Sequence, residues 1–252
     1  MTVERDAEDL IAEAAAAPVD GWGFGWLAGR ATEERPPWGY ARLVADRMAY
    51  ADAALDVDTG GGEVLAEVPR RPRLLTATEA WPPNVEVARR TLRRIGASVV
   101  AVAPDGPLPF RDASFDLVVS RHPVRTDWVQ TARVLRPGGT FLSQQIGAGT
   151  MRELSEAMLG PLPPPAQRHP EQAAAAAEAA GLRLVDLRRA TLRATFADIG
   201  AVVWFLRKVI WTVPGFTVER YRAPLANLHR RIVDEGPFVA HAHRFLIEAT
   251  RT

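Results

Sequence analysis

The sequence predicts an α/β fold in which helices cover both faces of a doubly wound parallel β-sheet. Between residues 54 and 145, short apolar segments alternate with segments of helical character. The apolar segments are nearly continuous, as in Leu117-Val118-Val119, which is typical of parallel strands buried on both faces. Right-handed strand–helix–strand crossovers then make the sheet doubly wound. A chain of 252 residues with 47% hydrophobic side chains suits one α/β domain with embellishments, or two small domains.

Helical segments are predicted ahead of the sheet. Residues 3–17 form an Ala-rich amphipathic pattern that Pro18 ends. The segment 21–26 alternates Gly with Trp and Phe and contains too much glycine for a stable helix interior. Pro36 and Pro37 then begin a second helix, which runs to about residue 51.

The remaining elements follow in order along the chain. Five strands are predicted over residues 54–57, 74–78, 99–103, 115–120 and 140–145, and the helices between them over 63–68, 83–95 and 127–135. The turn Pro137-Gly138-Gly139 separates the last of these helices from the fifth strand. The second half predicts helices over 151–159, 170–181, 198–211 and 217–235, and strands over 182–196 and 238–250.

The composition excludes several classes of protein. The chain has no cysteine, which rules out a disulfide framework, a thiol nucleophile, a Cys-ligated zinc site and an iron–sulfur cluster. The longest apolar stretch, 199–206, is far shorter than the ~20 residues that a membrane span needs. Four acidic residues within the first nine positions oppose the charge of a signal or transit peptide. We therefore expect a cytoplasmic protein that does not bind membranes.

A glycine-rich turn follows the first predicted strand. Leu55-Asp56-Val57-Asp58 leads into Thr59-Gly60-Gly61-Gly62, and glycines at this point let the backbone approach a ligand closely. Glu79 stands at the end of the second strand, where a carboxylate is able to accept both hydroxyls of a ribose. Dinucleotide and nucleoside binders share this pattern, so it predicts a nucleoside ligand without selecting one.

Two further motifs stand in the order and spacing of a known family. The segment 108–119, Leu-Pro-Phe-Arg-Asp-Ala-Ser-Phe-Asp-Leu-Val-Val, leads into the fourth strand, and the segment 133–139, Arg-Val-Leu-Arg-Pro-Gly-Gly, leads into the fifth. With the glycine loop and Glu79, they make residues 53–147 resemble the class I, Rossmann-like methyltransferases that depend on S-adenosylmethionine, in particular the methyltransferase type 11 group.

The resemblance implies a specific architecture. It implies a seven-stranded sheet in the order 3-2-1-4-5-7-6 with the last strand antiparallel. Residues 1–252 then form a single methyltransferase domain, in which 1–52 is an N-terminal helical lid and 53–147 is the donor-binding core. Residues 148–252 form a C-terminal half with a helical insertion, 197–236, that contributes to the acceptor site.

The resemblance also implies S-adenosylmethionine as the methyl donor and S-adenosylhomocysteine as the product. The loop would hold the methionine portion, Glu79 the ribose, and Trp81, Asp105 or Gly106 the adenine. Asp58 occupies the position of the family's first glycine, so its backbone is expected to be strained. The expected donor-binding residues are Asp56, Asp58, Thr59, Gly60, Gly61, Gly62, Glu79, Trp81, Asp105, Gly106 and Ser120.

His122 is the candidate catalytic residue, because it ends the fourth strand at the edge that faces the transferred methyl group in this family. An unperturbed imidazole could accept a proton near neutral pH. A histidine that only caps the strand is the alternative interpretation. The expected acceptor-binding residues are Trp26, Tyr40, His122, Gln144, Gln145, Trp204 and His241. Two histidines near the last strand lack a third ligand at a recognisable spacing, so we expect no metal.

A small molecule is the expected methyl acceptor, with methylation on O, N or C. Residues 120–123, Ser-Arg-His-Pro, lack the Asn/Asp/Ser-Pro-Pro-aromatic motif of enzymes that methylate exocyclic amines of bases, and the absence of cysteine excludes covalent pyrimidine C5 methylation. The alternative is an RNA methyltransferase, since residues 181–252 hold 12 basic and 6 acidic side chains. A non-catalytic donor-binding protein is the third hypothesis. The oligomeric state is left open.

Overall fold

The computed structural model describes residues 6–19 and 23–252, and its strands form one mixed sheet. The strands are β1 Ala31–Glu33, β2 Ala53–Val57, β3 Leu74–Glu79, β4 Ser98–Ala101, β5 Phe115–Arg121, β6 Leu135–Ile146, β7 Leu182–Phe196 and β8 Phe238–Arg251. The helices are α1 Ala7–Ala16, α2 Tyr40–Met48, α3 Glu63–Ala66, α4 Pro82–Arg93, α5 Trp128–Val134, α6 Arg152–Leu159, α7 Pro170–Ala179, α8 Ile199–Lys208 and α9 Arg222–Glu235. A 3₁₀ turn covers Gly25–Leu27.

The strand order is β1-β7-β8-β6-β5-β2-β3-β4. Strands β2 to β8 are the seven predicted strands, and their order is the predicted 3-2-1-4-5-7-6. The pairs β2–β3, β2–β5, β3–β4 and β5–β6 are parallel, whereas β8 pairs antiparallel with β6. The α/β fold, the strand order and the antiparallel last strand are therefore confirmed.

The predicted strand count was one too low. Strand β1 adds three antiparallel pairs to β7, from Ala31 opposite Phe196 to Glu33 opposite Ala194. A three-residue strand is too short to show an alternating pattern, so the sequence predicted only helix and loop in this region.

The turn predicted at Pro137-Gly138-Gly139 lies inside β6. Phe115 of β5 pairs with Leu135, but Leu117 pairs with Thr140, so the two strands are out of step by three residues at this point. The glycines accommodate this irregularity because Gly138 has φ +78°, and a Cβ on Gly139 would lie 2.9 Å from the Arg136 carbonyl oxygen.

The described residues fall into two compact units. The first contains 6–19, 23–35, 149–165 and 191–243, and the second contains 36–148, 166–190 and 244–252. The donor loop, Glu79 and His122 all belong to the second unit, whereas Trp26, Trp204 and His241 belong to the first. The predicted lid, core and insertion within one domain remain a prediction.

The core of the second unit lies on both sides of β2 and β5. Leu55 and Val118 are completely buried in the middle of the sheet. Both belong with Phe141 to the cluster on one face of the sheet, whereas Leu117 and Val119 belong with Val44 and Met48 of α2 to the cluster on the other face. Burial on both faces explains why these strands are continuously apolar in the sequence.

The first unit is organised around α8, most of whose side chains are buried. Gly200 permits α8 to approach α1 closely, since a Cβ there would lie 2.8 Å from the Leu10 carbonyl oxygen. Arg207 donates hydrogen bonds to the carbonyls of Ala14 and Ala17 at the end of α1. These bonds satisfy carbonyl groups that a helix terminus leaves without partners. None of the helices among residues 6–19 and 23–252 is long and apolar enough to cross a membrane.

The two motifs that flank β5 serve structural purposes. Asp116 accepts hydrogen bonds from the backbone amides of Asp52 and Ala53 at 3.0 and 2.9 Å and from Arg136 at 2.6 Å. Burial alone would raise the pKa of Asp116, but these donors lower it below the ordinary value. The carboxylate thereby fixes the start of β2 to the start of β5.

Arg133 of α5 connects the loop between β4 and β5 to the helix. Its guanidinium donates to the carbonyls of Leu108 and Phe110, each at 2.7 Å, and to the Asp112 carboxylate at 2.7 Å. The side-chain oxygen of Gln130 accepts a further hydrogen bond from Arg133 at 2.8 Å and one from the Leu108 backbone amide at 3.2 Å. The loop is irregular but densely hydrogen-bonded.

Candidate active site

The predicted donor loop lies at the carboxyl end of β2 and contains several left-handed residues. Asp58, Gly60 and Gly62 have φ values of +57°, +63° and +83°. Asp58 therefore adopts the conformation that glycine would adopt at this position. Aspartate tolerates this conformation better than most residues, but it still costs about 1 kcal/mol relative to glycine.

Gly62 serves packing as well as conformation. A Cβ on Gly62 would lie 2.7 Å from the Leu92 Cγ atom of α4, which is completely buried. The loop and α4 approach each other closely because no side chain separates them.

We expect Gly62→Ala to lower the free energy of unfolding by about 3 kcal/mol, because left-handed strain and overpacking add. Gly96→Ala is the matched control. Gly96 has φ +73° with no atom near a built Cβ, so it reports strain alone, at about 1 kcal/mol. Chemical denaturation of both variants measures the difference, and equal losses would contradict the packing role.

Glu79 organises the loop through three backbone amides. Its Oε2 accepts from the Gly60 amide at 2.8 Å, and its Oε1 accepts from the Ala80 and Trp81 amides at 2.9 Å each. The side chain is 6% exposed. Oε2 has a remaining lone pair, so the carboxylate is held in place by the protein and is still able to accept a hydrogen bond from a ligand.

The carboxyl groups of Asp56 and Asp58 lie in the same region as Glu79. Burial raises the pKa of Asp56 to about 7, and the charges of Asp58 and Glu79 contribute to the increase. Burial, followed by the charge of Glu79, raises the pKa of Asp58 to about 6. These three acidic groups lie at the carboxyl ends of β2 and β3. The loop is therefore electrostatically suited to a positively charged ligand.

Tyr40, at the start of α2, contributes a buried hydroxyl to this region. Its side chain is 6% exposed, and its hydroxyl has no hydrogen-bond partner among the described residues. Burial, with the nearby charge of Asp56, raises the pKa of Tyr40 well above the ordinary value. A buried hydroxyl without a partner is costly unless a ligand or water satisfies it.

The other predicted donor-binding residues differ in exposure. Trp81 is half-exposed at the start of α4, and Ser120 is buried with its hydroxyl donating to the Val57 carbonyl at 2.9 Å. Asp105 is largely exposed and forms an ion pair with Arg125 at 3.2 Å, while Gly106 closes a turn through the Ala103 carbonyl. Thr59 donates its backbone amide to the Thr78 carbonyl at 3.0 Å. Among these contacts, the hydrogen bond from the Ser120 hydroxyl to the Val57 carbonyl joins β5 to β2.

His122 lies at the end of β5 in a left-handed conformation, with φ +56°. Its Nε2 atom is 2.8 Å from the side-chain nitrogen of Gln144, and the Gln144 oxygen accepts from the Trp38 indole at 2.7 Å. Burial and the charges of Arg244 and Arg121 lower the pKa of His122 to about 3. This environment favours the neutral ring, and the catalytic role of His122 stays a prediction.

Gln144 and Gln145 leave β6 beside His122 but have different partners. Gln144 is 3% exposed, and both ends of its amide are occupied by Trp38 and His122. Gln145 is half-buried and donates to the Thr126 hydroxyl at 3.0 Å. The sequence missed Trp38 as a partner of this site, because a tryptophan before a helix shows no signal for its hydrogen bond.

The predicted acceptor residues of the first unit form two groups. Trp26 stacks on Trp204 with ring centroids 5.7 Å apart, and the Arg30 guanidinium lies 4.2 Å from the Trp26 centroid. Trp204 is 2% exposed. His241 contacts the Glu153 carboxylate at 2.6 Å, and that contact outweighs burial and lowers the pKa of Glu153. Groups of three or more side chains able to hold a metal are absent from the described part of the chain.

Comparison with known proteins agrees with this geometry. Residues 55–143 match the family model of a methyltransferase domain. This segment of the chain is therefore similar to a methyltransferase domain. The matched segment contains the glycine loop, Glu79, both motifs and His122. No curated protein matches the chain.

Solved structures share the fold of the chain at low sequence identity. YcgJ from Bacillus subtilis is 19% identical with a TM-score of 0.62, and the match covers 84% of this chain and 97% of YcgJ. Geranyl diphosphate C-methyltransferase from Streptomyces coelicolor, solved with S-adenosylhomocysteine, is 14% identical with a TM-score of 0.51, covering 84% and 78%. The 4+2 cyclase SpnF is 17% identical with a TM-score of 0.52, covering 97% and 93%. The family match and the shared fold support a methyltransferase, and S-adenosylmethionine stays the expected donor.

Proposed function

We propose that the protein transfers the methyl group of S-adenosylmethionine to a small-molecule acceptor by an in-line reaction. The observation that carries this proposal is the arrangement at the end of β2 and β3. There, Glu79 is fixed by three backbone amides next to a loop lined by Asp56 and Asp58.

The residues of the loop fit the donor. Glu79 would accept a ribose hydroxyl with the remaining lone pair of Oε2, and Trp81, half-exposed two positions further along, would lie against the adenine. Asp56 and Asp58 would face the ammonium and sulfonium charges. The unpartnered hydroxyl of Tyr40 gives this region a further group that a ligand is able to satisfy.

Positioning supplies most of the rate of such a reaction. When bound, the donor supplies a methyl group on a cationic sulfur, which needs only a nucleophile aligned behind the methyl. The chain holds its own groups rigidly for this purpose, since Glu79 and Ser120 are both fixed by backbone partners. The carboxylates of the loop hold the positive charge of the donor in place.

Ion pairs formed by arginines in the C-terminal third favour a small acceptor over RNA. Arg188 pairs with Asp186, Arg222 pairs with Glu8, and Arg231 pairs with Glu235. The acidic partners of these three arginines weaken the attraction of phosphates at these positions. The S. coelicolor enzyme of similar fold acts on geranyl diphosphate, which is a small molecule.

Calorimetry tests the donor. We expect S-adenosylmethionine to bind the purified protein at one site, with S-adenosylhomocysteine competing for it. Where the Gly62→Ala variant folds, its disturbed donor loop makes it the control for binding of the donor at this loop. Absence of binding by the wild type would overturn the proposal.

Methyl transfer from labelled donor to fractions of a cell extract tests the acceptor. We expect label in the small-molecule fraction. Label in RNA would favour the RNA methyltransferase, and donor binding without any transfer would favour a non-catalytic protein or another reaction on this fold.

A further inference from the structure

We propose that His122 acts as a neutral hydrogen-bond donor through Nδ1–H, and that Trp38 and Gln144 hold it in this form. The role of His122 toward the acceptor rests on the proposed methyl transfer. The state of its ring rests only on the geometry of the second unit.

The direction of the hydrogen bonds follows from the chemistry of the indole. An indole nitrogen only donates, so the Gln144 oxygen must be the atom that faces Trp38, at 2.7 Å. The amide nitrogen of Gln144 is then the atom 2.8 Å from His122 Nε2. An amide nitrogen only donates, so Nε2 accepts and the ring proton resides on Nδ1.

The charges around the ring favour the same form. Arg121 precedes His122 on β5, and Arg244 of β8 faces it as well. Neither Trp38 nor Gln144 provides a negative charge that would stabilise an imidazolium. Burial and the two guanidinium groups therefore act with the hydrogen-bond chain to keep the ring neutral.

The backbone holds the ring in place. The His122 amide donates to the Gln144 carbonyl at 2.7 Å, so Gln144 contacts both the backbone and the ring of the same residue. His122 keeps a left-handed conformation, which is unfavourable for a histidine and persists only where surrounding contacts fix it. This backbone strain and the ring contact are independent observations of a fixed orientation.

A ring in this state does not remove a proton from the acceptor. Its basic nitrogen is occupied by Gln144, and its other nitrogen carries a proton. Nδ1–H is left to donate to an oxygen or nitrogen lone pair of the ligand. The structure therefore favours an acceptor molecule that presents such an atom beside the reacting nucleophile and needs no proton transfer to His122.

Nitrogen-15 NMR of the histidine rings of the ligand-free protein tests the inference. The chain has five histidines, and His122→Asn identifies the signal of His122. We expect the Nδ1–H tautomer and no titration of this ring between about pH 5 and 8. An Nε2–H tautomer, or titration near the ordinary pKa of about 6.5, would overturn the proposal.

Gln144→Glu reverses the direction of the hydrogen bond between the side chain of residue 144 and the His122 ring. A carboxylate accepts from both neighbours, so the His122 proton should move to Nε2 and the pKa of His122 should rise. Gln145→Glu is the matched control, because it adds the same charge one residue away on a side chain that contacts Thr126. The Nδ1–H tautomer should persist in this control, and a change of tautomer there would contradict the role of Gln144.

Trp38→Phe removes the group that orients the amide. We expect the Gln144 amide to lose its single orientation and the His122 ring to populate both tautomers. An unchanged single Nδ1–H tautomer in Trp38→Phe would contradict the positioning role of Trp38. Donor binding is measured separately by calorimetry, so a failure of the proposed function and a failure of this inference are distinguishable.

Discussion

Glu79→Ala should weaken the binding of S-adenosylmethionine at least tenfold, about 1.4 kcal/mol. The carboxylate accepts the amides of Gly60, Ala80 and Trp81, and its removal leaves these three donors without a partner. The loop would then lose its shape in addition to a ribose contact. We also expect the free energy of unfolding to fall by about 2–3 kcal/mol, because hydrogen bonds to a charged group are strong.

Two further variants separate the loop from the ligand. Glu79→Gln retains one side-chain oxygen that is able to accept hydrogen bonds from some of the three backbone amides. This variant should bind the donor with intermediate affinity. Glu86→Ala removes an exposed acid of α4 that pairs with Arg89, so both stability and affinity should remain near wild type. Calorimetry and chemical denaturation measure both quantities, and a wild-type affinity of Glu79→Ala would contradict the assignment.

Asp56→Asn should stabilise the ligand-free protein and weaken donor binding at the same time. Burial raises the pKa of Asp56 to about 7, so its carboxylate is costly to ionise in the folded state. Asparagine has a similar shape and no charge. We expect the free energy of unfolding at pH 8 to rise on the order of 2 kcal/mol and the affinity for the cationic donor to fall.

The pH dependence has opposite signs for stability and for binding. The folded protein retains protons on Asp56 and Asp58 above the unfolded pKa, so its stability falls as pH rises from about 4, the unfolded pKa, to about 6 to 7, the folded pKa values. A cationic ligand favours the ionised carboxylates, so donor affinity rises over the same interval. S-adenosylhomocysteine lacks the sulfonium charge, and its affinity should change less.

Thermal denaturation and calorimetry between pH 5 and 8 measure these trends. The control is Asp234→Asn, which neutralises an exposed acid on α9 and should leave both pH profiles unchanged. A donor affinity that is constant over this interval would contradict the role of Asp56 and Asp58 as ionised partners.

Much of the sheet was predictable because its strands are buried on both faces. Continuous apolar segments such as Leu117-Val118-Val119 show their burial directly in the sequence. The glycine loop and Glu79 were predictable for a similar reason, since their backbone requirements restrict the residue types. Strand β1 was missed because pairing with β7, rather than its own three residues, makes it a strand.

The state of His122 was not predictable from sequence position. It depends on Trp38, 84 positions earlier, and on Gln144 and Arg244, which follow on other strands. Long-range hydrogen-bond direction leaves no periodic signal in the chain. The same holds for Tyr40, whose unpartnered hydroxyl is visible only once α2 packs against the sheet.

The hydrogen bonds of Arg133 have a consequence for local unfolding. The loop between β4 and β5 has no regular structure, yet one guanidinium on α5 holds the carbonyls of Leu108 and Phe110. The backbone carbonyls of Arg133 and Val134 also accept the Ala113 and Ser114 amides. We therefore expect loop and helix to open as one cooperative unit, and the amide protons of this irregular loop to exchange with solvent as slowly as those of the helix.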